Sequence, residues 1–356
     1  MASTIPSTQT IIRQHDGGIL KVTPGSPIPD IEGHHVLVRT HAVALNPCDF
    51  KMPLRFPTPG LWNGCDFSGT VVAVGSDTTR FKVGDAVFGA VHGSNQGDPE
   101  SGAYAEYLKA EANYVFKTPP GMTHETAAAM YGTGVATVAM ALYSLKIAAD
   151  LRAPAEGRAS EAVLVFGGSS TVGMMAIQIL KLCGHRVIST SSEKNIELIK
   201  SYGADEVFDY RSPTCGVDIK KYTKNALRYA IDPFGEARTM SICYEAIGRA
   251  GGKYCALEQY QEALETRRTV TPLLIMGSSI AGRGLVLPEP YGSPPDPELG
   301  AWSLKFYKDL QRVIDEGRLK ACPPKVLSGG FDAILSGLDL LRNKQISGEK
   351  LIVPLV

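Results

Sequence analysis

Up to about residue 125 the chain looks β-rich, with apolar and polar positions alternating in several stretches. HVLVRTHAVAL (35–45) is one such stretch, GTVVAVGSDTTRFKVGDAVFGAV (69–91) reads as strand, glycine turn and strand, and AYAEYLKA (103–110) is a further half-buried strand. Proline and glycine punctuate the stretch, as in a small barrel with irregular loops. The period then lengthens. THETAAAMYGTGVATVAMALYSL (123–145) is alanine-rich, with Thr123 placed as an N-cap and Glu125 and Thr126 in the first turn, and it predicts one or two helices. AADLRAPAEGRASEA (148–162) is polar and broken by turn formers, a surface connection. From 162 the short apolar runs AVLVFG, RVISTS, EVFDY, LRYAID and KYCAL alternate with TVGMMAIQILKLC, EKNIELIKSYG, DIKKYTKNAL and EARTMSICYEAIG at helical period. Strands separated by helices of that length specify a doubly wound α/β arrangement, a parallel sheet with helices on both faces. SSIAGRG (278–284) is read as its sixth strand. LPEPYGSPPDPELG (287–300) carries five prolines and predicts a loop. WSLKFYKDLQRVIDEGRLK predicts an amphipathic helix, and the remaining residues short strands ending in EKLIVPLV.

A chain of 356 residues is too long for one ordinary core, so two domains are expected. The 36 basic residues balance 36 acidic ones, which removes any long-range pull toward nucleic acid or an anionic membrane. Seven cysteines lie at 48, 65, 183, 215, 243, 255 and 322, with no CxxC or Cys/His spacing, a pattern of reduced thiols in an intracellular protein. The N-terminus has no basic start followed by an apolar run. No uninterrupted apolar run approaches the ~18 residues of a membrane helix. A soluble, cytoplasmic protein is expected.

AVLVFGGSSTVGMMAIQILKLCG (162–184) carries the strongest local chemistry. A buried strand runs into Gly167 and Gly168, then Ser169, Ser170 and Thr171, with Gly173 at the helix start. Small residues let the backbone approach a pyrophosphate, and the helix N-terminus supplies free N–H groups, so the unit is read as a dinucleotide site. An NAD site ordinarily closes its second strand with an acid that binds the ribose 2′-OH. Here the strand closes as STSSEKN (189–195), where Ser191, Ser192, Lys194 and Asn195 suit a 2′-phosphate and Glu193 opposes it. NADPH is therefore the expected cofactor, and Tyr210 in FDYR is placed to lie along the adenosine.

VGSDTTRFKVGDAVFG, SGAYAEYLKAE, KTPPGM and YGADEVFDYRSP resemble the medium-chain dehydrogenase/reductase superfamily, over essentially the whole chain. The resemblance implies a GroES-like β-barrel catalytic domain split around a Rossmann domain: 1–125 and 291–356 for the catalytic part, 126–290 for the NADPH-binding part, with substrate in the cleft between. NPCDFKM, YTKNALRYAID, AIGRAGGKY, GGFDAILSGLDLLRNKQISGEKLIV and the proline-rich 287–300 segment are similar to the trans-acting enoyl reductases of fungal polyketide synthases, the lovastatin enoyl reductase type. Those enzymes use NADPH to reduce the enoyl thioester carried on the acyl carrier domain of a partner polyketide synthase or synthase–peptide synthetase hybrid. Position by position, the resemblance implies cofactor contacts at Cys48, Asp49, Phe50 and Lys51, and at Gly168, Ser169, Ser170 and Thr171. It implies others at Ser192, Glu193, Lys194 and Asn195, at Tyr210, at Leu257 and Glu258, and at Ile346 and Ser347. Substrate contacts are implied along Gly132, Thr133, Gly134, Val135, Ala136, Thr137, Val138 and Ala139, and near Ser279, Ile280, Ala281, Gly282 and Arg283. Relatives commonly have threonine where this chain has Val135, which moves that hydroxyl's role to Thr133 or Thr137 or removes it.

Zinc-dependent members of the superfamily place their first ligand where Cys48 stands, followed by Gly-His-Glu; this chain has Gly64-Cys65-Asp66. Cys48, Cys65 and Asp66 are legitimate zinc ligand types, but no histidine joins them, so no metal is expected and Cys48 is read as a wall of the cofactor cleft. Lys51 is the candidate catalytic residue. Its ammonium suits either the enolate formed by hydride addition to an enoyl thioester or a cofactor phosphate or ribose. The rival readings are a free-standing zinc-independent quinone or enone reductase and a non-catalytic NADPH-binding scaffold subunit. The prolines of 287–300, read as blocking the edge of the sheet, predict a monomer. Lys220, Lys221, Lys224 and Arg228 form a basic candidate for the carrier-docking surface.

Overall fold

The computed structural model describes residues 5–152 and 160–355, so part of the 148–162 connection lies outside the described residues. The chain divides into two compact units, Met1–Thr133 with Ile314–Val356, and Gly134–Val313.

In the first unit β1 (Thr8–Gln14) and β2 (Leu20–Pro27) pair antiparallel as a small separate sheet. β3 (His35–Ala44), α1 (Pro47–Arg55), β4 (Asp66–Val74), β5 (Ala86–Ala90), β6 (Tyr107–Glu111) and β7 (Val115–Lys117) follow. The alternation of 35–45 becomes β3, the centre of a seven-stranded sheet. It pairs antiparallel with β4 and β6 and buries Val36, Val38, Phe67, Val71, Val87 and Leu108 on one face. β6 is shorter than the run 103–110. Ala103–Glu106 instead lies against β1, with the Ile12 N–H donating to the Tyr104 carbonyl at 2.7 Å.

α2 (His124–Ala128) starts at Thr123, whose hydroxyl accepts the Thr126 N–H at 3.2 Å, so the predicted N-cap is formed. α3 (Gly132–Leu145) follows after a break in which Tyr131 takes φ 68°. The span His124–Leu145 is long and apolar enough to cross a membrane by length and composition, although polar residues interrupt it. Its window is 83% buried within the protein, as a core segment is.

The second unit runs β8 (Ala162–Val165), α4 (Thr171–Leu182), β9 (Arg186–Ser191), α5 (Ile196–Ser201), β10 (Glu206–Asp209), α6 (Cys215–Tyr222), β11 (Tyr229–Asp232), α7 (Ala237–Ala246), β12 (Gly252–Ala256) and β13 (Val270–Leu274). All six strands are parallel, in the order β10-β9-β8-β11-β12-β13. The expected sixth strand at 278–284 is wrong. Residues Gly277–Ala281 form a 3-10 turn closed by Gly282 at φ 68°, and the sixth strand is β13. Pro272 sits within β13, tolerable because β13 is an edge strand. The prolines of 287–300 are therefore not the edge of this sheet. They belong to a turn whose arms touch at Leu285 and Ser293, and the last of them already opens α8 (Pro297–Asp315).

The chain then returns to the first unit through β14 (Pro324–Val326), α9 (Gly330–Arg342) and β15 (Lys350–Pro354). α9 replaces part of what was expected as short strands. Ile334 and Leu338, four apart, pack with Val43, Leu45 and Leu351. Gly337 lets the helix come close, since a Cβ there would lie 2.4 Å from Leu45 Cδ1.

Candidate functional site

Parallel strands present all their carboxyl ends on one edge, and the chain order reverses between β8 and β11. That reversal makes a crevice at the carboxyl edge, where open α/β sheets bind ligands. Gly167, at φ 62°, turns the chain from β8 toward α4. The Gly167 N–H donates to Thr190 Oγ1 and the Gly168 N–H to the Thr190 carbonyl, both at 2.9 Å, which ties the loop to β9. A Cβ at Gly168 would lie 2.2 Å from Ser189 Oγ, and one at Gly173 2.4 Å from the Gly167 carbonyl, so the loop and helix can close only with glycine at both places. Ser170 caps α4, its Oγ accepting the Gly173 N–H at 3.0 Å. Ser169, Ser170 and Thr171 remain half-buried at the mouth of this helix.

The neighbouring strand ends complete the edge. Ser192, Glu193 and Lys194 follow β9, the latter two exposed, while Asn195 is buried. Tyr210 follows β10, half-buried, its ring 6.1 Å from Phe166. Leu257 and Glu258 follow β12. Asp232 ends β11 and is not a ligand group but a tie. It accepts Thr239 Oγ1 at 2.6 Å, Tyr254 OH at 2.7 Å and the Phe234 N–H at 2.9 Å, with burial raising its pKa. Lys220, Lys221, Lys224 and Arg228 sit where α6 ends and β11 begins, at the amino edge, opposite the glycine loop.

The Ser279–Arg283 segment forms the 3-10 turn and its exit, with Ser279 and Ile280 buried and Arg283 exposed. Thr137 of α3 faces it in the same unit, its Oγ1 2.6 Å from where a Gly277 Cβ would stand. Of the residues from Gly132 to Ala139 only Thr133 is half-buried; Val135, Val138 and Ala139 are fully buried.

In the first unit the Asn-Pro corner becomes the start of α1, with Pro47 at N1 and the Asn46 N–H donating to Asp49 Oδ2 at 2.7 Å. Cys48–Lys51 lies in the first turns of this helix. Cys48 Sγ lies 4.0 Å from Cys65 Sγ and 3.8 Å from Asp49 Oδ1. The contact with Cys48 and burial push the Cys65 thiol well up. Cys48 is eased down by that contact, but burial and the Asp49 and Asp66 carboxylates outweigh it. Burial raises Asp49 to about 6 even though Tyr104 OH donates to it at 2.6 Å. The carboxylate beside the thiols is thus Asp49, not Asp66. Asp66 faces elsewhere: its Oδ1 accepts the Thr133 N–H at 2.6 Å and hydroxyl at 2.5 Å, and its Oδ2 accepts the buried Lys350 ammonium at 2.9 Å. Lys350 also donates to Asn46 Oδ1. The Thr133 hydroxyl is therefore committed to Asp66. Ile346 is half-buried against the α9 cluster and Ser347 is exposed.

Sequence reasoning missed Lys350 and Tyr104. The signal for Lys350 was a lysine inside the apolar run KLIV, a charge that must find a partner when the strand is buried.

Residues 32–120 match the alcohol dehydrogenase GroES-like domain family, and residues 171–283 the zinc-binding dehydrogenase family. A putative zinc-dependent alcohol dehydrogenase protein from Rhizobium etli CFN 42 superposes with a TM-score of 0.77 at 24% identity, covering 98% of this chain and 99% of that one. The chain is 49% identical over 361 residues to trans-enoyl reductase RAP1 of Pyricularia oryzae, covering 100% of both. The chain belongs to the trans-enoyl reductase family. Enoyl reductase cheB of Chaetomium globosum is also 49% identical, over 99% of this chain and 95% of that one. As a trans-enoyl reductase of the medium-chain dehydrogenase/reductase superfamily it is an oxidoreductase acting on a carbon–carbon double bond with a nicotinamide cofactor.

Proposed function

We propose that this trans-enoyl reductase uses NADPH, without zinc, to reduce the α,β-double bond of an enoyl thioester carried by the acyl carrier domain of a fungal polyketide synthase. The observation that carries the reading is the full-length likeness to trans-enoyl reductases, together with a glycine loop at the switch point of the parallel sheet. The cofactor, when bound, supplies a hydride for the β-carbon of the enoyl thioester. Gly168–Thr171 offer N–H and hydroxyl donors to its pyrophosphate. Lys51 places a positive charge for the enolate oxygen, whose negative charge grows as the hydride arrives. The α-carbon then takes a proton from solvent or an acid in the site. Purified protein incubated with NADPH and a short α,β-unsaturated pantetheine thioester is expected to give a product two mass units heavier. No turnover of the thioester beside rapid turnover of small quinones would overturn the substrate assignment.

The 2′-phosphate reading rests on Ser192 and Lys194 after β9. A charge-assisted hydrogen bond contributes roughly 1.5–3 kcal/mol, so Lys194→Ala is expected to weaken NADPH binding about tenfold or more and leave NADH nearly unchanged. Equal wild-type affinities for the two cofactors in a fluorescence titration would sink the assignment.

Cys48, Asp49 and Cys65 bring three donor atoms within 4.8 Å of one another. Zinc there would have to displace the protons of both thiols with no imidazole in the set, and the buried cation beside Asp66 is already Lys350. We therefore expect full activity after chelator treatment, and elemental analysis near one zinc per chain would refute the metal-free reading.

A further inference from the structure

We propose that Arg211 is a second specificity-determining cation for the 2′-phosphate of the cofactor, acting with Lys194. The inference rests on the NADPH reading above and adds a residue to it. An open pocket of about 360 Å³ lies at the carboxyl ends of β9 and β10, lined by Ser192, Glu193, Lys194 and Arg211. Its lining comes from two strand ends that are neighbours in the sheet, so residues 18 or so apart in sequence face one volume.

Charge in this pocket explains why one lysine is insufficient. Glu193 sits in the same lining and opposes any phosphate, so Lys194 alone leaves the pocket neutral. Arg211 adds a second cation to the lining; its charge is held first by Asp209, at 2.8 Å, and more weakly by Glu193. Its side chain is also aimed. Asp209 accepts from Nε at 3.0 and 3.1 Å and from Nη2 at 2.8 Å, which fixes the plane of the guanidinium. Asp209 is not among the residues that line the pocket.

The main chain that carries Arg211 is held independently. Arg238 Nη2 donates to the Tyr210 carbonyl at 3.2 Å and to the Arg211 carbonyl at 3.1 Å, and the Arg211 N–H donates to Asp209 Oδ1 at 2.9 Å. Asp209 takes the Nε–Nη2 edge of the guanidinium, so the fork left for a phosphate monoester is the pair of N–H donors on Nη1 and Nη2, a planar pairing that a single ammonium cannot offer. A cofactor lacking the 2′-phosphate offers nothing for the fork to hold.

The test compares wild type, Arg211→Ala, Arg211→Lys and Glu193→Gln in titrations with NADPH, NADH, 2′,5′-ADP and 5′-AMP, with thermal unfolding of each variant. Arg211→Ala is expected to weaken NADPH and 2′,5′-ADP about tenfold or more and to leave NADH and 5′-AMP unchanged. Arg211→Lys should keep part of the preference, and Glu193→Gln should tighten NADPH by removing the opposing charge. A wild type that binds NADPH and NADH equally overturns the NADPH reading itself. A wild type that prefers NADPH, with the preference intact in Arg211→Ala, overturns only the role of Arg211. Equal losses for NADPH and NADH in Arg211→Ala, with a lowered Tm, would make the Asp209–Arg211 pair structural and also overturn it.

Discussion

Replacing Lys51 by alanine is expected to lower kcat for an enoyl thioester by about 10²-fold or more, the range for losing one oxyanion donor, with a smaller change in KM. The reason is where charge appears during the reaction. Hydride addition at the β-carbon pushes an electron pair onto the thioester oxygen, and only a group that meets that new charge lowers the barrier without also tightening the ground state. Lys51 lies on the half-buried turn of α1, fixed by Asp49 at one end of the helix and by Pro47 at N1. The alternative role, a grip on cofactor phosphate or ribose, predicts a different signature. NADPH affinity would then fall while kcat at saturating NADPH stayed near wild type. Wild-type values for both quantities would remove Lys51 from the machinery altogether.

Much of this architecture is legible in the linear pattern. The alternation HVLVRTHAVAL becomes the central strand of the barrel sheet, and the five short apolar runs from 162 become five of the six parallel strands. Reading fails where a local rule yields to a tertiary contact. Pro272 disguises the sixth strand, because proline is tolerated only when the strand is an edge, and edges are a property of the whole sheet. Gly329, Gly330 and Gly337 disguise α9, although Gly337 is there to let the helix approach Leu45. The glycine loop between β8 and α4 is legible because its residues are contiguous. The Asp66–Lys350 pair is not, since its partners are 284 residues apart. Arg211 falls between these cases: it stands beside the recognised Tyr210, but its relation to Lys194 exists only once β10 pairs with β9.

Lys350→Met is expected to destabilise the first unit by about 3–5 kcal/mol, the cost of leaving one charge of a buried pair without its partner. Side chains of Lys350 and Asp66 are 1% and 0% exposed, so water cannot take over the lost contact. The ammonium bonds Asp66 Oδ2 and Asn46 Oδ1, joining β15 to β4 and to the start of α1. Removing it strands a carboxylate that still accepts two bonds from Thr133, and leaves the Asn46 carbonyl oxygen short of a donor. For a unit of this size the loss corresponds to a drop in Tm of roughly 10 °C. The effect separates charge from packing through a second substitution. Asp66→Asn in the Lys350→Met background keeps a carbonyl oxygen for Thr133 and removes the orphaned charge, so most of the stability is expected to return. A buried ion pair is seldom better than a well-packed neutral pair, and that is why the double variant recovers while the single one does not. A single variant that loses less than about 1 kcal/mol, or a double variant no more stable than the single, would show that the pair is not what holds β15 and the α1 corner together.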